Sequence, residues 1–509
     1  MKRILPSYIE HLGEVTPFTY AWDMTPPTHL APRYCSFSKP GNNKLLPNLR
    51  EAIRQSDLRD GGTVSFHHHL RNGDYVMNMV MQEIAALGLK DIRVAASSIF
   101  PIHAPLVDLI RSGVITAIDT NYMVGPVAEA VAHGLLHKPA VMRSHGGRPR
   151  AIETGVLKID VAFIAAPTAD VGGNINGVHG PSACGSLGYA VADSQYAKTV
   201  IAITDNLIPF PIAPISIPGT NVDYVVVVSK LGDPKGIISG TTRITKDPLG
   251  LMLAETATKI VQGAGLLKEG LSLQTGAGGA SLAVAAFMRQ EMIKRKIQGS
   301  FALGGVTGYF VQMLKEGLFQ RILDIQCFDL DAVESLRDNP NHIEGCASFY
   351  ANPLNKGAAV NYLDVMILGA TEIDTNFNVN VTTGSDGMIM GGSGGHNDTA
   401  AGSKLSIVVT TATRGRLPIV VDEVTTITTP GETVDVLVTE LGVAVNPRRK
   451  ELEPALRNLG IKVRDINDIS AEVYRRTGKP KPFSPGKRIV AVVEYRNGQI
   501  IDVIREQGR

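Results

Sequence analysis

Cysteine is scarce in this chain, with only four residues at 35, 184, 327 and 346, none in a CxxC pair and none beside a Cys/His ladder. That excludes a tetrahedral metal site built from local sequence and favours reduced thiols. Excess charge is also missing: the formal net charge is +2, so bulk electrostatics supply neither a nucleic-acid groove nor attraction to an anionic membrane. No long apolar run occurs, and stretches such as 159–167 and 225–228 stop far short of the roughly 20 residues a spanning helix needs. The start of the chain carries Glu10, His11 and Glu14 where an export signal would have an apolar core. A soluble, cytoplasmic protein is expected. The sequence also lacks an HExxH pair, a P-loop lysine and a Cys/His couple for nucleophilic attack. Chemistry here is expected to run on bound reactants.

What is present is length and repetition. At 509 residues, with 44% hydrophobic and 19% charged residues, the chain exceeds what one core supports and predicts two or three domains. Residues 159–176, IDVAFIAAPTADVGGNIN, align with 363–380, LDVMILGATEIDTNFNVN, placing Asp160 on Asp364, Asp170 on Asp374, Asn174 on Asn378 and Asn176 on Asn380. Segments 106–119 and 310–324, then 216–228 and 428–440, match in the same order, so a duplicated unit is read. Short β-branched runs alternate with amphipathic stretches at 75–87 and 283–294, which predicts an α/β protein with largely parallel, doubly covered sheets. The expected layout is a Pro-rich N-terminal arm (1–60), a first domain (61–245), a connecting helix (246–269), a second domain (270–446) and a C-terminal extension (447–509). That extension should hold a helix at 450–459, a Pro-rich loop and a hairpin turning at Asn497-Gly498.

Three segments can carry chemistry. Gln274-Thr275-Gly276-Ala277-Gly278-Gly279 follows a strand-like run and opens a helix. Its free N–H groups can hold a phosphate, a carboxylate or a developing oxyanion, or the glycines can simply allow a tight turn. The glycine-dense stretch from Gly384-Ser385-Asp386 to Gly392-Ser393-Gly394-Gly395-His396-Asn397-Asp398 suggests close approach of backbone to a ligand, with His396 and Asp398 either orienting a carboxylate or capping a turn. Arg143, His145, Arg148 and Arg150 surround a Gly pair, and their guanidinium forks suit carboxylate or phosphate, unless the loop is merely solvated. His67-His68-His69 precede Arg71 and Asn72; adjacent histidines point in different directions, and no metal site is expected from them. Glu372 and Asp374 lie beside the glycine-dense stretch, the aspartate as apt for a turn as for catalysis.

Taken together, MRSHGGRPRAIETG, GPSACGSLGYAVADSQYA, SLQTGAGGASLAVA, SFALGGVTGYFVQML, GATEIDTNFNVNVTTGSDG, GGSGGHND and VTELGVAVNP resemble the citrate lyase alpha-subunit family across essentially the whole chain. ATEID, the GGSGG loop and VTELGVA are more distantly similar to the acetyl-CoA hydrolase and 4-hydroxybutyrate CoA-transferase group. The resemblance implies two tandem CoA-transferase-like (NagB/RpiA-type) domains and exchange of acetate for citrate on an acetyl carrier thioester. It implies a beta subunit that cleaves the citryl thioester and a gamma acyl carrier subunit bearing a phosphoribosyl-dephospho-CoA arm, with CoA or acetyl-CoA as surrogate. No cofactor is expected on this chain itself, and a homo-oligomer within the complex is expected. In the distant relatives a glutamate that becomes an enzyme thioester precedes a helix; residues 302–308 read ALGGVTG here, without a carboxylate, which argues for direct transfer in a ternary complex. On that footing the amides of Gly276, Ala277, Gly278 and Gly279 and of Gly392, Ser393, Gly394 and Gly395 are oxyanion candidates, with Glu372 and His396 polar groups near the thioester. Arg143, His145 and Arg148, with Arg71 and Asn72 in reserve, are expected to clamp citrate, and Gln274, Thr275, Gly384, Asp386 and Asp398 to contact the carrier's arm. An ordinary CoA-transferase or thioesterase, a non-catalytic scaffold and a nicotinamide oxidoreductase are the competing classes; the first needs the missing glutamate, the second leaves the glycine loops without purpose, and the third lacks a ribose-binding acid.

Overall fold

The structure is a computed structural model, described for residues 3–24, 28, 30–32, 42–238, 244–276, 278–480 and 484–507. The strands of its two large sheets are β1 (Leu45–Leu46), β2 (Thr63–Phe66), β3 (Ile92–Ala96), β4 (Ile115–Thr120), β5 (Ala140–Met142), β6 (Val161–Ala165), β7 (Thr199–Thr204) and β8 (Tyr224–Val227) in the first half. The second half contributes β9 (Ser272–Thr275), β10 (Gly299–Val306), β11 (Phe319–Cys327), β12 (His342–Glu344), β13 (Val365–Leu368), β14 (Leu405–Val409), β15 (Val436–Thr439) and β16 (Gly442–Val445), and the C-terminal segment adds β17 (Ile489–Glu494) and β18 (Ile500–Arg505). A ten-stranded sheet runs β18-β17-β5-β4-β3-β2-β6-β7-β8-β1 and an eight-stranded sheet β12-β11-β10-β9-β13-β14-β15-β16. Within each, seven parallel strands follow one plan, in which the chain winds outward from β2 or β9 and then returns to the other side of that strand. The order reverses between β2 and β6 and between β9 and β13, and crevices for ligands open at the carboxyl ends of strands at such reversals.

The duplication reaches individual hydrogen bonds. Asp160 Oδ2 accepts from the Thr63 amide at 2.8 Å, and Asp364 Oδ2 from the Ser272 amide at 2.9 Å. Each carboxylate also pairs with a lysine, Lys198 or Lys404. Asp170 and Asp374 cap equivalent turns, accepting from the amides of Gly172 and Asn174 and of Asn376 and Asn378 respectively. These turns position a three-stranded side sheet in each half. The strands read as unbroken apolar runs because both faces are covered: every residue of β6, β13 and β14 is buried.

The helix Pro248–Gly263 starts at Asp247, whose side chain accepts from the Gly250 amide at 3.0 Å. It packs against the helix Gly279–Arg295 and the β14 strand, so it covers the second sheet as well as linking the halves. The hairpin with Gly498 at φ +96 forms where Asn-Gly predicted it, but β17 pairs in parallel with β5, making the C-terminal segment an integral edge of the first sheet. Two departures appear there. Residues 450–459 divide into a 3-10 turn, Pro447–Leu452, and a short helix, Glu453–Asn458, because Pro454 lacks a donor N–H and restarts the helix at its first turn. The helix Ile466–Thr477, capped by Asp465, was not anticipated. At the other end, Pro17 bridges to Ile500 and β1 extends the far edge of the first sheet.

Candidate functional site

The carboxyl ends of the two sheets meet. The Ser144–Gly394 bridge joins the halves, with the His145 amide donating to Gly394 O at 2.8 Å and the Gly394 amide to Asn121 O at 3.2 Å. Asp398, fully buried, accepts from Ser144 Oγ and from the Gly146 amide, both at 2.9 Å, with Arg496 Nε 3.5 Å away. Burial pushes its carboxyl up to about 6, partly offset by Arg496 and the two donors. Asp398 therefore locks the halves together, and its side-chain oxygens are already engaged instead of being held for a carrier's arm.

The glycine density at 391–395 has the same origin. A methyl on Gly391 would lie 2.2 Å from Val381 O, on Gly392 2.3 Å from Asn121 O, and on Gly395 2.3 Å from Tyr350 Oη. Gly392 lets the second half approach the backbone of the first, while Gly391 and Gly395 admit close neighbours within the second half, so packing, not ligand contact, accounts for them. The amides of Gly392 and Gly394 are spent on Val381 O and Asn121 O, and that of Gly276 on Ile367 O at 2.8 Å. None of the three is free for an oxyanion. Ala277 lies outside the described residues. Gly278 and Gly279 open the 17-residue helix without a side-chain cap, and their amides have no partner among the described residues. Gly395 begins only a seven-residue helix.

Other expected site residues serve as framework. Arg148 makes a bidentate pair with Asp193 at 2.7 and 3.0 Å and donates to Ala95 O; Arg143 pairs with Asp119 and Glu494. Both are buried and closed onto carboxylates, so they do not form a citrate clamp. Glu372 accepts from Asn380 Nδ2 at 2.9 Å and from the Thr425 amide at 2.8 Å. That knot holds the side sheet. His396 is held at both ring nitrogens, Nδ1 by Thr429 Oγ1 at 2.7 Å and Nε2 by Gly369 O at 2.9 Å, and burial lowers it to about 4, so it is a neutral strut. Gly384 and Asp386 form a turn that receives Met388, the aspartate exposed. Asn72 is exposed and accepts from the Ile102 amide.

The three adjacent histidines diverge: His67 Nε2 meets Ala165 O at 3.0 Å, His68 Nδ1 meets Ser97 Oγ at 2.6 Å, and His69 faces Asp74. No group of three or more His, Cys, Asp or Glu side chains among the described residues is placed to hold a metal ion.

What remains converges. His68 packs against Tyr189 (ring centroids 4.8 Å apart) and Phe100 (6.1 Å), His145 against Tyr189 (4.6 Å), and Phe100 against Tyr122 (5.7 Å). The Arg71 guanidinium lies 4.5 Å from the Phe328 ring centre and 5.7 Å from that of Phe100. Phe328 belongs to the second half, and its ring sits where a side chain on Gly305 would be, 2.2 Å from such a methyl. Beside it Gly304, at φ +106, leaves room for Gln274, whose Nε2 donates to Tyr350 Oη at 2.8 Å. Gln274 Oε1, Thr275 Oγ1 and Thr307 Oγ1 are buried without partners among the described residues. Burial drives His145 down to about 3, aided by Arg148, and His68 well below its usual value, so both rings are neutral at physiological pH. Tyr122, Tyr189, Phe328 and Gln326, whose Nε2 donates to His68 O at 2.8 Å, were missed by sequence reasoning. A lone aromatic in an apolar context carries no signal that separates site from core.

Residues 42–507 match the profile of the family described as citrate lyase, alpha subunit (CitF). The chain belongs to the citrate lyase alpha-subunit family. It is 50% identical over 468 residues to the citrate lyase alpha chain of Escherichia coli (strain K12), covering 92% of each, and 46% identical to that of Klebsiella pneumoniae, covering 94% of each. A Streptococcus mutans structure assigned to the citrate lyase alpha subunits and solved in complex with citrate superposes with a TM-score of 0.93 at 49% identity, covering 96% of this chain and 95% of that one. The malonate decarboxylase alpha subunit of Acinetobacter baumannii shares the fold at 15% identity and a TM-score of 0.63, over 85% of this chain and 88% of its own. Membership of the citrate lyase family thus accompanies an α/β architecture consistent with a CoA-transferase-like fold.

Proposed function

We propose that the chain exchanges acetate for citrate on an acetyl thioester, as the alpha component of a citrate lyase. Family membership over residues 42–507 carries this reading, and the Streptococcus mutans relative holds citrate. The two sheets are read as two copies of one CoA-transferase-like domain, 61–245 and 270–446, whose facing carboxyl ends form the reaction cleft.

A citrate carboxylate attacks the acetyl carbonyl, forming the mixed acetyl–citryl anhydride and releasing the carrier thiolate. The thiolate then attacks the citryl carbonyl, and acetate leaves. Each attack places negative charge on a carbonyl oxygen, and the start of the helix Gly279–Arg295 offers the Gly278 and Gly279 amides at the positive end of its dipole. Buried Gln274 Oε1, Thr275 Oγ1 and Thr307 Oγ1, all without partners among the described residues, suit the amide and thioester groups of a pantetheine-like arm. That arm is a substrate carried by a gamma subunit, and a beta subunit would cleave the citryl product. Gly304 and Gly305 are covered by Gln274 and Phe328, which leaves no room for a nucleophilic side chain there and favours transfer within a ternary complex.

The test is to incubate the purified chain with acetyl-CoA and citrate, follow citryl-CoA by mass spectrometry and quench with hydroxylamine. Citryl-CoA without a protein hydroxamate is expected. A glutamyl hydroxamate refutes direct transfer, and no citryl-CoA with either acetyl-CoA or the acetyl carrier protein refutes the function.

A further inference from the structure

Arg71 stands apart from the other arginines around the cleft. Arg143 and Arg148 are closed onto carboxylates, whereas Arg71 has no acidic partner among the described residues and one side-chain hydrogen bond, to Ile237 O at 3.3 Å. It is half-buried and holds a left-handed backbone at φ +56, which a side chain adopts only against a steric cost. Phe328 and Phe100 flank its guanidinium without satisfying its donors. The hydroxyls of Tyr122 and Tyr189 also have no hydrogen-bond partner among the described residues. The Tyr122 ring packs on Phe100 (5.7 Å) and the Tyr189 ring on His68 (4.8 Å), itself 6.1 Å from Phe100, so both belong to the aromatic cluster that flanks Arg71; burial raises both phenols above their usual value, so each is a neutral O–H donor at physiological pH.

A cation and two hydroxyl donors in one aromatic cluster, with no anion of their own among the described residues, lack an acceptor. Desolvating a guanidinium without an anion is costly, and a carboxylate arriving there would satisfy all three. We propose that Arg71, Tyr122 and Tyr189 form a subsite for a citrate carboxylate that is not acylated. This rests on the citrate-transfer reading above and deepens it. The reacting carboxylate must surrender its charge on acylation, and a strong guanidinium pair would oppose that loss. A spectator carboxylate keeps its charge throughout, so the same pair holds the tricarboxylate in place without penalising the transition state. The subsite is therefore a device for substrate choice.

The experiment titrates the full chain calorimetrically with citrate, 3-hydroxyglutarate, which lacks the central carboxylate, and citramalate, which lacks one terminal carboxylate. Wild type, Arg71→Gln, Arg71→Lys and Tyr122→Phe are compared, with citryl-CoA formation measured in parallel. Arg71→Gln is expected to weaken citrate by about 10- to 100-fold, the range for a hydrogen-bonded charge. It should leave the affinity for one of the two analogues nearly unchanged, so that discrimination between that analogue and citrate collapses. Arg71→Lys should recover part of the loss, and Tyr122→Phe, which deletes a single oxygen, should raise the citrate KM several-fold with little change in the acetyl-CoA KM. Unchanged citrate affinity in Arg71→Gln, or an equal loss for all three ligands, overturns the subsite while wild-type activity stands. A wild type that binds citrate nowhere and makes no citryl-CoA overturns the functional reading itself.

Discussion

Asp398 gives a test of how the halves are held. Its carboxyl is raised from 3.8 to about 6 by burial, so between those values the folded protein holds a proton that the unfolded chain releases. Stability from this group is thus greatest at low pH and falls as pH rises through 6. The full span, about two pH units, is worth about 3 kcal/mol, of which about 1.4 kcal/mol separates pH 8 from pH 5. Other groups move oppositely: burial lowers His67 and His145 to about 3 and His396 to about 4, so the unfolded chain takes up their protons first and stability is lost below about pH 6.5. The informative quantity is therefore the difference between wild type and Asp398→Asn. In the variant one amide oxygen accepts from the Gly146 amide and the amide nitrogen faces Ser144 Oγ, so the geometry survives without the titration. Urea unfolding of both proteins at pH 5, 6, 7 and 8 should show wild type gaining about 1.4 kcal/mol relative to the variant on going from pH 8 to pH 5. A difference independent of pH, or one of opposite sign, refutes the assignment of a desolvated carboxylate at this junction.

Three substitutions extend the test. Gly395→Ala places a methyl 2.3 Å from Tyr350 Oη, which is bound to Gln274; it should destabilise the protein by about 1 to 3 kcal/mol and lower activity, seen in the urea midpoint and the citryl-CoA rate. Arg148→Ala breaks a buried pair with Asp193 and should cost about 3 to 5 kcal/mol in unfolding free energy, instead of selectively raising the citrate requirement. Gly279→Pro removes one amide donor at the first helical position, where proline is tolerated, and Gly278 already has the extended backbone (φ −77, ψ 148) that precedes proline well. Its melting temperature should stay close to wild type while kcat falls about 100- to 1000-fold.

The repeat was legible because the positions that pin strand starts and turns, Asp160 with Asp364 and Asp170 with Asp374, need the same residue in both halves to make the same hydrogen bonds. The parallel strands were legible because burial on both faces leaves unbroken apolar runs. The site was less so. Arginines look alike in sequence, and only the fold brings Asp193 to Arg148 and Glu494 to Arg143 while leaving Arg71 without a carboxylate among the described residues. Glycines that admit a ligand and glycines that admit another backbone have the same local sequence; the carbonyls of Val381 and Asn121 decide between them. The helix Ile466–Thr477 went unread because its polar residues dilute an apolar stripe of Ile466, Ile469 and Val473.

The most direct test of the ternary-complex account is the initial-rate pattern for citrate against acetyl-CoA, with both varied. Simultaneous occupancy, with main-chain amides and no acylated side chain, predicts double-reciprocal lines that intersect. Parallel lines, the pattern of a covalent acyl-enzyme released between two half-reactions, would contradict it.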